Sequence, residues 1–129
     1  MSEAGKLATD DAGVQDALEK RVVRVAPYME PQAAANIWWA YAKLEREPEV
    51  EARAALEAAA VRVGPGMVAQ AVANIWWAFA TLGRMRGAEA QAALEAAVVR
   101  VGPGMDPQAV ANIWWAYATL GRAAASARS

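Results

Sequence analysis

Arginine recurs in this chain at a fixed interval, and a ladder of that kind can grip the phosphates of a nucleic acid. Arg24, Arg62 and Arg100 stand 38 residues apart, and Arg46, Arg84 and Arg122 keep the same step. A guanidinium donates two parallel hydrogen bonds to a phosphate, which positions a backbone without reading its bases. The simpler reading is that cations near helix C-termini complement the helix dipole, worth about 0.3–1 kcal/mol each. Base reading would need positions that vary between units. Gln15, Arg53 and Gln91 share one register and do vary, as do Lys20, Ala58 and Ala96. One reader per repeat is the mode of known helical RNA-binding arrays. Arg24, Arg62, Arg100, Gln15, Arg53 and Gln91 are therefore the candidate RNA-binding residues.

Other chemistry finds little support. The chain has no histidine and no cysteine, so the usual general base, thiol nucleophile and zinc ligands are missing. Ser2, Ser126 and Ser129 lie outside the repeating part. Glu19, Glu57 and Glu95 recur once per unit, at a spacing that forms no acid–base pair. Gly64-Pro65-Gly66 reads as a turn rather than a phosphate loop. An enzyme, a metal site and a cofactor are not expected. Thirteen basic against fourteen acidic residues leave a net charge of −1, which is unlike a dedicated nucleic-acid binder. The start carries acid early and shows neither a secretory signal nor a transit peptide. The longest apolar run, around 71–82, is broken by Asn74 and is too short for a bilayer, so a soluble chain is expected.

These residues ride on a 38-residue repeat. Asn36-Ile37-Trp38-Trp39, Asn74-Ile75-Trp76-Trp77 and Asn112-Ile113-Trp114-Trp115 mark it, together with Leu18, Leu56 and Leu94 and with Gln32, Gln70 and Gln108. The units are 11–48, 49–86 and 87–124, between a head (1–10) and a short tail (125–129). A period of this length signals a solenoid, each unit burying its apolar face on the next. Val14, Leu18, Val22 and Val25 lie on one stripe of a first helix. Ala26-Pro27-Tyr28, Gly64-Pro65-Gly66 and Gly102-Pro103-Gly104 should break that helix and return the chain antiparallel. Asp106 caps the last second helix with Pro107 behind it, Glu30-Pro31 is a weaker version, and Val68-Ala69 lacks a cap. Gly83 and Gly121 should end second helices in left-handed geometry. The fold class is thus all-α, an α-solenoid of three antiparallel helix hairpins.

Adjacent tryptophans project about 100° apart on a helix, so one of each pair should pack on its own unit's first helix and the other on the next unit. Their setting among Ala and Ile favours core packing over base stacking. Asn36, Asn74 and Asn112 are poor helix formers and should be held by hydrogen bonds to a loop or helix end of a neighbouring unit. At the C-terminal end, Trp114, Trp115 and Tyr117 should remain uncovered and promote self-association.

The string Pro107-Gln108-Ala109-Val110-Ala111-Asn112-Ile113-Trp114-Trp115-Ala116-Tyr117-Ala118-Thr119-Leu120-Gly121 resembles the octotricopeptide repeat, a 38-residue helical hairpin of algal organelle proteins. Across 11–124 the period, proline–glutamine start, Asn, Trp-Ala pair and Leu-Gly end are similar. The resemblance implies an RNA-binding array acting in chloroplast or mitochondrial transcript stability, processing or translation, with single-stranded RNA as partner. A protein-interaction scaffold, or a purely structural consensus-like array, is the competing expectation. Units two and three are nearly identical, which suits the latter.

Overall fold

The computed structural model describes residues 12–128, with side chains over 13–124. The expected head (1–10) lies outside them. The secondary structure of the described residues is all helical, with six α-helices packed against one another. They are α1 (Ala12–Val25), α2 (Pro31–Leu44), α3 (Val50–Val63), α4 (Ala69–Leu82), α5 (Gly87–Val101) and α6 (Pro107–Arg128). No helix among them is long and apolar enough to cross a membrane.

The Pro-containing triplets end the first helices, as expected. Single 3-10 turns at Ala26–Tyr28, Gly64–Gly66 and Gly102–Gly104 follow α1, α3 and α5. The carbonyl that opens each turn accepts the N–H of Met29, Met67 or Met105. Gly64 is pressed on the neighbouring helix, since a Cβ there would stand 3.5 Å from the Ala93 side chain.

Helix ends follow local chemistry less uniformly. Asp106 Oδ1 accepts the Ala109 N–H at 2.8 Å, the expected cap, whereas neither Glu30 nor Val68 offers a side-chain cap. Gly83 closes α4 at φ +86°, and Glu45 takes the same left-handed role at φ +54°. Gly121 does not end α6, which runs on to Arg128 and takes up residues expected to form a tail. The run Arg122-Ala123-Ala124-Ala125 consists of strong helix formers, and these carry the helix through one glycine.

Packing runs from unit to unit. The second helices α2, α4 and α6 contact one another in turn, as do the first helices α1, α3 and α5, and α3 and α5 also lean on α2 and α4. The core holds Trp38, Trp76, Phe79, Leu56, Leu94 and Met67, all essentially inaccessible. Leu56 and Leu94 are fully buried, yet Leu18 in the same register is 60% exposed, and Val22 and Val25 are half-buried. The apolar stripe of a first helix is thus covered by the unit before it. Leu18 has no such cover among the described residues.

Candidate functional site

Each second helix carries a polar stripe on its outer side. Gln32 and Asn36 are four residues apart, and Trp39 follows three later, so all three fall within one narrow face of α2. Gln32 Nε2 donates to Asn36 Oδ1 at 3.0 Å, Gln70 to Asn74 at 3.0 Å, and Gln108 to Asn112 at 3.1 Å. The asparagines therefore bond within their own helix and not to a neighbouring unit, which corrects the expectation above. A glutamine one turn upstream lies closer than any loop and meets the amide's need.

The tryptophans divide by position. Trp38 and Trp76, each the first of its pair, face the following unit, as expected for one member of a pair. Trp38 Nε1 donates to the Leu56 carbonyl at 3.2 Å, and Trp76 Nε1 to the Leu94 carbonyl at 3.3 Å. Trp38 also meets Phe79 edge-on at 4.9 Å between centroids, and Trp76 meets Tyr117 at 5.8 Å. The second of each pair shares the face of the polar stripe and is exposed or half-buried. Trp39 is 41% exposed and Trp115 46% exposed, and Trp77 is half-buried between them. The Trp39 and Trp77 rings stand 6.2 Å apart, tilted by 36°. Lys43 Nζ lies 5.3 Å from the Trp39 ring centroid, within cation–π range. The outcome is a row of indoles flanked by Gln–Asn pairs across α2, α4 and α6.

The arginine ladder does a different job from either expected role. Arg62 Nη2 donates to the carbonyls of Ala26 (3.1 Å) and Met29 (2.7 Å), on the turn of the unit before. Arg100 repeats this one unit on, with Gly64 (3.1 Å) and Met67 (2.7 Å). These guanidiniums bond carbonyls of the turn that follows a neighbouring helix, so they tie unit to unit rather than complement their own helix. Arg24 is exposed and makes no hydrogen bond or ion pair among the described residues.

The varying positions are likewise engaged. Gln15 accepts a hydrogen bond from Arg46 Nη1, Arg53 lies 3.8 Å from Glu47, and Gln91 donates to Glu95 at 3.0 Å. Lys20 pairs with Asp16 at 3.2 Å on the exposed side of α1. The structure therefore places Gln15, Arg53 and Gln91 near the starts of α1, α3 and α5, and Arg24, Arg62 and Arg100 near their ends. It does not gather the six into one surface.

Two ionic clusters went unforeseen. Glu19, 7% exposed, accepts from Tyr41 Oη (2.8 Å), Arg46 Nη2 (3.1 Å) and the Glu49 N–H (3.1 Å), joining α1, α2 and the start of α3. Burial first, and then the bond to Glu19, push the Tyr41 phenol above its ordinary range. Arg86, 4% exposed, grips Glu47 through both terminal nitrogens at 2.6 and 2.8 Å. Its guanidinium also stands 4.7 Å from the Trp38 ring centroid and 5.3 Å from that of Phe79. Burial by itself raises the Glu47 carboxyl, but the bonds and charge of Arg86, with Arg84 and Arg53, outweigh it and hold the group below its ordinary 4.5. Among the described residues, no three His, Cys, Asp or Glu side chains stand together as metal donors.

Comparison with known proteins adds nothing to this geometry: the chain matches no protein-family model, no curated protein and no solved structure.

The indole row was within reach of the sequence. Projecting Gln32, Asn36 and Trp39 on a helical wheel groups the second tryptophan with the two polar residues, and polar residues mark the outer face.

Proposed function

We propose that the chain is an α-solenoid of three antiparallel helix hairpins that binds single-stranded RNA, without catalysis, across the face of α2, α4 and α6. The observation that carries the reading is the row of one outward indole and one Gln–Asn pair per 38 residues. Indoles stack on any base, and side-chain amides hydrogen-bond base edges. The second helices also contact one another more extensively than the first helices do, which suits a solenoid curved with this face inward. A role in chloroplast or mitochondrial transcript stability, processing or translation rests on the octotricopeptide-like string at 107–121.

Stacking is worth about 1–3 kcal/mol per base, so three platforms support affinities of about micromolar or weaker. Arg62 and Arg100 are committed to carbonyls, which leaves few cations for phosphates. The salt dependence should then be shallow, with a log–log slope of about −0.7 to −1.4 for one or two phosphate contacts. Titration of the purified chain with an unstructured oligouridylate, followed by tryptophan fluorescence, tests this. Quenching is expected, and Trp39→Ala and Trp115→Ala should each weaken binding with helicity unchanged. A folded chain that binds no RNA in low salt overturns the reading. The near balance of charge and the single lysine on the indole row favour a protein-interaction scaffold as second reading, and that result would put it first.

A further inference from the structure

The first and last repeats each leave exposed, among the described residues, a surface that is buried where repeats meet within the chain. Within the chain, unit contacts a following unit through a repeated set of bonds: Trp38 Nε1 to the Leu56 carbonyl and Trp76 Nε1 to the Leu94 carbonyl. Arg62 returns to the carbonyls of Ala26 and Met29, and Arg100 to those of Gly64 and Met67. Each set repeats at a step of 38. Trp114 is the next donor in the series, and it is 69% exposed. It lines an apolar cleft of about 440 Å³ with Val99, Val110, Ile113 and Tyr117. At the other end Leu18, 60% exposed, lines a second apolar cleft of about 240 Å³ with Val22, Ile37 and Leu44. Arg24, in register with Arg62 and Arg100, has no bonded partner among the described residues.

We infer that the chain stacks head to tail on a second copy of itself, unit one of one copy docking on unit three of the other. Continuing the register names the contacts. Trp114 Nε1 of one copy donates to the Leu18 carbonyl of the next, and Arg24 of that next copy donates to the carbonyls of Gly102 and Met105 of the first. Leu18 then enters the Trp114 cleft as Leu56 and Leu94 enter the layers beneath Trp38 and Trp76. The occupant is a second copy because both halves, hydrogen-bond donors and acceptors included, are present on this one chain in matching register. An interface between unlike patches does not close after two subunits, so assembly is open-ended.

Sedimentation velocity over a concentration series tests this with the full chain. The wild-type chain should show species that grow with concentration beyond a dimer. Leu18→Glu and Trp114→Glu each spoil one half of the interface at an exposed position, so each alone should be monomeric with the helicity of the wild type. Mixed, the two should form a 1:1 dimer and nothing larger, because each retains the half that the other lost. Arg24→Ala should weaken association by about tenfold or more, as expected for loss of charged hydrogen bonds. A wild-type chain that is strictly monomeric at high micromolar concentration overturns the proposal. Association that survives Leu18→Glu but not Trp114→Glu overturns it too, since the C-terminal face would then pair with itself.

Discussion

Arg86 stands in the register occupied by Pro48 in unit one and Ala124 in unit three, and the surrounding residues have adjusted to it. Unit two places Phe79 where the others have Tyr41 and Tyr117, so Glu57 has no phenol to bind; Arg86 comes to 3.8 Å of it instead. Arg86→Ala would strand the Glu47 carboxylate and uncover the Trp38 and Phe79 rings. With Glu47 about a third exposed, the loss should be about 2–3 kcal/mol in urea denaturation, below that for a fully buried pair. The lowered Glu47 carboxyl makes this pairing pH-dependent. Its contribution is complete above the ordinary value of 4.5 and falls away as pH drops through the lower folded value. Glu47→Gln should therefore reduce stability at neutral pH and flatten the acid limb of a stability–pH curve. Arg62 and Arg100 offer a sharper contrast. Arg62→Ala should cost about 1.5–3 kcal/mol through lost charged hydrogen bonds, whereas Arg24→Ala in dilute solution should cost almost nothing.

Helix ends distinguish otherwise equivalent elements. α4 begins at Ala69 behind Val68, whose extended backbone (φ −82°, ψ 166°) suits a residue before proline but whose side chain caps nothing. Val68→Asp with Ala69→Pro copies the working arrangement of Asp106 and Pro107 and should add about 1 kcal/mol, measured as a higher denaturation midpoint at constant slope. At the end of α2, Glu45 holds a left-handed conformation that costs a side-chain-bearing residue about 1–2 kcal/mol. Glu45→Gly relieves it but loosens the unfolded chain, so a net gain of about 0.5 kcal/mol is expected in the same assay. Glu45 and Gly83 share the left-handed region and a bonding pattern: in both, the cap N–H and the one after it bond back to the last turn's carbonyls.

Across the whole molecule, protection should be graded rather than uniform. α4 has neighbours on both sides in its row and is buried along most of its length, whereas among the described residues α1 and α6 each have a neighbour on one side of their rows. Amide hydrogen exchange should be slowest in α4 and faster in α1 and the far end of α6. The same grading applies to fluorescence. Trp38 and Trp76 are sealed in the core while Trp39, Trp114 and Trp115 meet solvent, so acrylamide should quench only part of the emission. Self-association should shield Trp114 and lower the quenched fraction as concentration rises.

Helix, turn and register were written in the sequence because they are local or periodic. Proline at fixed offsets stops α1, α3 and α5, Asp106 caps α6, Gly83 closes α4, and the 38-residue step assigns equivalent residues to equivalent places. Partners across the units were not. Whether Arg62 meets a phosphate or the Met29 carbonyl, and whether Trp38 or Trp39 enters the core, depends on how far each helix is rotated against its neighbours. That rotation is set by packing summed over many weak contacts and leaves no mark at a single position. Gly121 shows the converse: a local stop signal was overridden because strong helix formers follow it. The tertiary structure thus decided which faces hold units together and which stay exposed.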